Sequence, residues 1–337
     1  MGQSLWGLLI LPLFAVSTEL AQAGEDRKPD VPFRFTASVD AVHLNVSVVN
    51  KKGRLITDLS REDFMVIEDN VRQKIVYFAR GEDAPLDVVL LVDASGSMEL
   101  TEKATNARNA AIQLIHGLGS EDRVSVYAFD RDVYQLTDFT QNKTEAIEAL
   151  NRLEPFGSTA LYDAVVTLSS AVLHEGFGRR AIVLTTDGVD TSSTRSVDDA
   201  VATAKSVDLP VYAIRVISPV DDPDNEMFLG VHGAHFRGED ALRRFTAETG
   251  GDMYQGSQWG QLVTASRRIR EEMKTQYRIG YVPVNPRNDD GFRTIEVSTP
   301  RRRGLEVRTR KGYYPAGPNS SGSEPEPTPV RKRSSSY

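Results

Sequence analysis

DVVLLVDASGSM, Asp87 to Met98, decides the fold. Its first half is a continuous apolar run with β-branched residues, bounded by polar turns. Such a run is a strand buried on both faces, as in a parallel sheet covered by helices. Its second half gathers Asp93, Ser95, Gly96 and Ser97 at the strand's end. In a doubly wound sheet, that is where connecting loops open a crevice for ligands.

On the C-terminal side, the spacing predicts a helix over 103–118, with Ala107, Ala110, Ala111, Leu114, Ile115 and Leu118 in phase. Strands follow at 123–129, 180–186, 211–216 and 252–254, and helices at 143–153, 160–173, 197–207, 241–249 and 260–274. Gly250-Gly251 suits a helix C-cap. The alternation predicts an α/β fold with a doubly wound, mainly parallel sheet over 85–275.

The flanks read differently. Residues 39–50 alternate with period two, placing Val42, Leu44, Val46 and Val48 on one face. Further short strands are predicted at 64–68, 74–78, 276–284, 294–298 and 305–310. Neither β segment, 24–84 or 276–315, makes a comfortable core alone. The expectation is one small β-sandwich with the α/β domain inserted, with 276–315 pairing with 35–80; two separate β extensions are the alternative.

Residues 1–23 carry the apolar run Leu5 to Val16 and the small-x-small triplet Ala21-Gln22-Ala23. The run is short for a bilayer and reads as a secretory signal peptide, or else an uncleaved anchor. Export to the periplasm, exterior or cell surface is therefore expected, with no membrane span after cleavage. Residues 316–337, rich in Ser, Pro and Glu, are expected to be a disordered tail.

Composition excludes several chemistries. With 40 Lys and Arg against 47 Asp and Glu, the net charge is −7, which gives no general pull toward nucleic acid. The chain has no cysteine, which removes disulfides, thiolate metal sites and a cysteine nucleophile, and only five histidines. Metal chemistry here would rest on oxygen ligands. Two other loops can meet the Asp93 turn: Gly157-Ser158-Thr159-Ala160 before a helix, and Thr186-Asp187-Gly188 after a strand. Together Asp93, Ser95, Ser97, Thr159 and Asp187 form a candidate all-oxygen site of the kind that suits Mg²⁺ or Mn²⁺.

These three loops, DASGSM, GSTALYDA (157–164) and TTDG (185–188), resemble those of the von Willebrand factor type A family over about 85–275. The whole chain also resembles the exported proteins of this kind common in acidobacteria. The family resemblance implies a metal-ion-dependent adhesion site, with Ser95, Ser97 and Thr159 as direct ligands and Asp93 and Asp187 binding directly or through water. It implies a non-enzymatic adhesion or scaffold module whose partner protein presents a carboxylate. Two other readings are a structural envelope protein whose β flanks make the contacts, and a metal-assisted hydrolase. Against the hydrolase, no base or nucleophile is evident near the loops.

Overall fold

The computed structural model describes residues 41–81, 85–96, 98, 103–172, 179–206, 209–219, 233–284, 291–315 and 330–332, without the side chains of 233–237 and 332. The signal-peptide expectation and Ser97 lie outside these residues, as does most of the tail.

In chain order the elements are β1 (Val42–Asn50), a 3-10 turn (Arg61–Asp63), β2 (Met65–Glu68), β3 (Val71–Gln73), β4 (Ile75–Arg80), β5 (Leu86–Asp93), α1 (Lys103–His116), β6 (Arg123–Phe129), β7 (Val133–Thr140), α2 (Lys143–Asn151) and α3 (Leu161–Val172). They continue with β8 (Arg179–Thr186), α4 (Val197–Ser206), β9 (Val211–Val216), α5 (Gly233–Thr249), β10 (Met253–Gly256), α6 (Trp259–Thr275), β11 (Tyr277–Tyr281), β12 (Arg293–Ser298), β13 (Leu305–Arg308), β14 (Gly312–Tyr313) and β15 (Arg331–Lys332).

Among the described residues, the central sheet runs β10-β9-β8-β5-β6-β7-β15. All its neighbours are parallel except β6 and β7. The α/β doubly wound fold is as expected, and the strand pattern explains it. Val88, Leu90 and Val92 face one core with helices α1, α2 and α6, while Val89 and Leu91 face another with α3, α4 and α5. Both faces of β5 are thus covered, as its unbroken apolar run requires. The chain steps from β5 to β6 on one side and later to β8 on the other. The switch point of the sheet therefore falls between β5 and β8.

Strand β7 was not expected. Its sequence VYQLTDFT is mostly polar, and Val133 and Thr137 are its buried residues. Thr137 holds an irregular ladder: its hydroxyl accepts from Val126 N (3.1 Å), and its carbonyl accepts from the Ser125 hydroxyl (2.8 Å). Side chains that substitute for ladder bonds hide the period-two pattern. Helix α5 starts at Gly233, ahead of the expected 241. Within the stretch expected to be a disordered tail, Arg331 and Lys332 pair with Tyr134 and Gln135 of β7, and Val330 packs on the second core.

The flanking strands form two sheets, β13-β1-β11-β4 and β14-β12-β2-β3. Each joins strands from before and after the α/β domain. Their shared core holds Leu44, Val46 and Val48 with Phe64, Val66, Tyr277, Ile279 and Tyr281. Tyr277 stitches it further, donating to Ile56 O (2.8 Å) and accepting from Leu59 N (3.0 Å). Helix α6 passes into β11 through Gln276 alone, and Tyr277 pairs with Arg80, the last residue of β4.

At this junction Glu272, 1% exposed, accepts from the Tyr254 hydroxyl (3.2 Å) and the Tyr212 hydroxyl (3.5 Å), with Arg308 3.5 Å away. Burial raises its pKa, and Arg308 opposes the shift. A carboxyl raised in the fold favours the protonated native state, so its contribution is greatest at low pH and is lost as pH rises through the folded value. Glu272→Gln keeps one acceptor oxygen, turns the other position into an amide donor that a tyrosine hydroxyl oxygen can accept from, and removes the charge. The expected result is a variant at least as stable as wild type at pH 7, with the difference closing as pH falls to 4, read from thermal melts.

Candidate metal-binding site

The site begins with β5 ending in a buried carboxylate. Asp93 is 2% exposed. Its Oδ1 accepts from Ser95 N (3.0 Å), the turn that an Asp two residues ahead favours. Its Oδ2 accepts from the Thr186 hydroxyl (2.5 Å) at the end of β8. The first and third loops are thereby linked across the switch point.

The second loop closes on the first through backbone bonds. Gly96 N donates to Gly157 O (2.9 Å), and Phe156 N donates to Ala94 O (2.8 Å). Gly157 adopts φ +80°, a conformation that favours glycine. Two residues on, Thr159 is 1% exposed. Its N–H donates to the Thr191 hydroxyl (2.9 Å), and its carbonyl accepts from Thr191 N (2.9 Å) and Ser192 N (3.0 Å). The third loop is wedged against α5. Gly188, at φ +84°, lies so near Gly238 that a Cβ on it would stand 2.8 Å from Gly238 O.

Asp93, Ser95, Thr159 and Asp187 are therefore all buried in the loops at one end of the sheet. The Asp93 pKa is raised to about 6. Burial is the main cause, bonds from Ser95 and Thr186 oppose it, and the nearby negative charge of Asp187 adds to it.

Three further residues belong to this corner. Lys103, at the start of α1, places its ammonium 3.1 Å from Asp187 Oδ2, with side chains 8% and 2% exposed. Thr186 orients Asp93 as described. Arg215 of β9 lies 3.4 Å from the Asp187 carbonyl and 2.9 Å from Glu239. The sequence reading named Thr186 only as part of its loop and passed over Lys103 and Arg215, although signals existed for both. Lys103 stands four residues before Ala107, on the apolar stripe of its helix, and Arg215 interrupts the apolar strand VYAIRV. A charge inside a buried pattern calls for a partner.

The donors here are oxygen atoms, the chemistry a hard dication takes. Among the described residues no three His, Asp or Glu side chains cluster as a metal-holding group. A cation at this corner would thus combine the two carboxylates with hydroxyl oxygens and water. Burial disfavours a charged Asp93, and Lys103 already neutralises Asp187; a dication here would stabilise the Asp93 carboxylate and would meet the Lys103 ammonium at Asp187.

Residues 88–189 match the family model of the von Willebrand factor type A domain, a span that contains all three loops. Over these residues the chain carries a von Willebrand factor type A domain. No curated protein matches it. Among solved structures, it is similar to a von Willebrand factor type A protein from Catenulispora acidiphila, at 13% identity and TM-score 0.47, covering 79% of this chain and 72% of that one. It is also similar to an aerotolerance-related membrane protein from Bacteroides fragilis, at 22% identity and TM-score 0.43, covering 56% of this chain and 98% of the other. A third is BatB from Bacteroides thetaiotaomicron, at 20% identity and TM-score 0.44, covering 56% and 100%. Among the described residues, no helix is long and apolar enough to cross a membrane.

Proposed function

We propose that this protein is an exported interaction module that binds an acidic group of a partner protein through Mg²⁺ or Mn²⁺. Asp93, Ser95, Ser97, Thr159 and Asp187 hold the ion, directly or through water. The main support is the convergence of two buried carboxylates, Asp93 and Asp187, from neighbouring strands at the switch point, linked by the Thr186 hydroxyl. When bound, the ion supplies an electrophilic centre with a position open to the partner's carboxylate.

The chain's own residues prepare that corner. Ser95 and Thr186 fix the orientation of Asp93, and the Gly96–Gly157 bond fixes the distance between two loops. Lys103 holds Asp187 in place. Most of the affinity comes from surrounding surface, since specific interfaces cover about 1,600 Å² in total. The apolar run at residues 5–16 supports export.

Calorimetric titration with Mg²⁺ alone is expected to show one binding event. Envelope extract passed over immobilised protein is expected to leave a partner that EDTA releases. Absence of Mg²⁺ binding, or retention unchanged in EDTA, rejects the reading.

A further inference from the structure

We propose that the basic surface around the β12–β13 turn of the β-sandwich is a second, metal-independent site that binds a linear acidic polysaccharide. The charge of this protein is divided between its two parts. Residues 86–275 hold 18 Lys and Arg against 29 Asp and Glu, a net −11. Residues 41–81 and 276–315 hold 16 against 9, a net +7. The overall −7 conceals a strongly basic sandwich on an acidic domain.

The positive charge is concentrated around cavities. Arg61, Arg72, Lys74 and Arg301 line an open cavity of about 490 Å³, with Glu62 as its acidic member. Arg61 lies 3.4 Å from Glu62. Among the described residues, Arg72, Lys74 and Arg301 are exposed and have no ion-pair partner. The turn after β12 carries Arg301 on to Arg303, which lines a second open cavity with Lys51 and Lys52. Both cavities border the turn that joins β12 to β13. Four cations face Glu62 at the first cavity, with Asp63 within electrostatic reach of Arg301 and Arg302, and such an excess raises the local potential and draws an anion from solution.

The lining favours one class of polyanion. The first cavity's aromatic residue, Phe64, is 5% exposed, and the second is lined by no aromatic. Single-stranded nucleic acid needs exposed rings on which bases stack. Arginine clusters take acidic peptides too, but the apolar residues that could anchor a peptide here, Phe64, Met65, Ile75 and Leu305, are buried or half-buried, and both cavities are edged by long cationic side chains. Arginine forks take carboxylate or sulfate groups in pairs. A chain carrying one such group per sugar or two can meet the basic residues on both sides of that turn, Arg301 and Arg303.

Polygalacturonate and heparin, one carrying carboxylates and the other sulfates, are the probes, titrated in low salt with EDTA present. Binding of at least one is expected, falling steeply with NaCl. The triple variant Arg72→Gln, Lys74→Gln, Arg301→Gln is expected to lose about tenfold in affinity, with an unchanged melting curve. The variant Lys51→Gln, Lys52→Gln, Arg303→Gln tests the second cavity independently and is expected to weaken binding as well. Asp93→Asn is expected to bind the polysaccharide as wild type does. Several results overturn the site: no binding to either chain, full binding by both multiple variants, or loss of binding in EDTA. Tighter binding of polyglutamate or single-stranded DNA overturns the ligand class. Dextran, uncharged, is expected not to bind. Loss of Mg²⁺ binding elsewhere in the protein leaves these outcomes unaffected.

Discussion

Asp93→Asn is expected to lower Mg²⁺ affinity by about 100-fold or more while leaving the metal-free fold as stable as wild type or more so. The two effects have one origin. Asp93 is buried against a second carboxylate, and its pKa of about 6 stands above the ordinary 3.8. At pH 7 that shift corresponds to about 3 kcal/mol against the charged form. Asparagine removes the charge and keeps the shape. Its carbonyl can accept from Ser95 N, and its amide can donate to the Thr186 hydroxyl, which already accepts from Gly188 N (3.0 Å). What disappears is a negative ligand for a dication, and loss even of a group that only supports a ligand costs 10–100-fold. Calorimetry gives the affinity, and thermal melts with and without Mg²⁺ give the stability. If Asp93→Asn retains Mg²⁺ affinity within tenfold of wild type, Asp93 does not hold the ion.

Lys103→Met is expected to act in the opposite sense. The Lys103–Asp187 pair is buried on both sides. Removing the ammonium leaves Asp187 charged and uncompensated, beside an already disfavoured Asp93. Breaking a buried pair in this way costs about 3–5 kcal/mol, or about 10 °C in melting temperature for a domain of this size. A dication supplies the missing charge. Saturating Mg²⁺ should therefore restore most of the lost stability, and the Mg²⁺ affinity of Lys103→Met should exceed that of wild type, because the ion no longer competes with a resident ammonium. A variant as stable as wild type without Mg²⁺ would show that the pair contributes nothing. A variant that melts early and is not rescued by Mg²⁺ would show that Lys103 is not exchanged for the ion.

Much of this could be read before any coordinates. DVVLLV named a doubly covered strand because a run with no polar break cannot face water on either side. The helices came from their apolar spacing, and Asp93 and Asp187 stood out because carboxylates at strand ends in an α/β pattern converge. The less visible elements share a physical cause. Strand β7 owes its place to Thr137 substituting for a backbone partner, which leaves no periodicity. Lys103 read as the first residue of a helix, since its meaning depends on a carboxylate 84 positions away. The junction around Glu272 is likewise assembled from Tyr212, Tyr254 and Arg308, distant in sequence and ordinary one by one. Sequence periodicity reports which face of an element is covered; it does not report which polar groups meet underneath.

The pairing of Arg80 with Tyr277 has a mechanical consequence. The chain leaves the sandwich and re-enters it at opposed positions of one antiparallel rung, about 5 Å apart. The inserted domain is anchored at both of its ends to adjacent strands, like a pendant on two short cords. A tug on its far edge is shared between the two cords, and neither lets the domain swivel freely. A load applied to the inserted domain would thus pass into the sandwich through two neighbouring strands, β4 and β11.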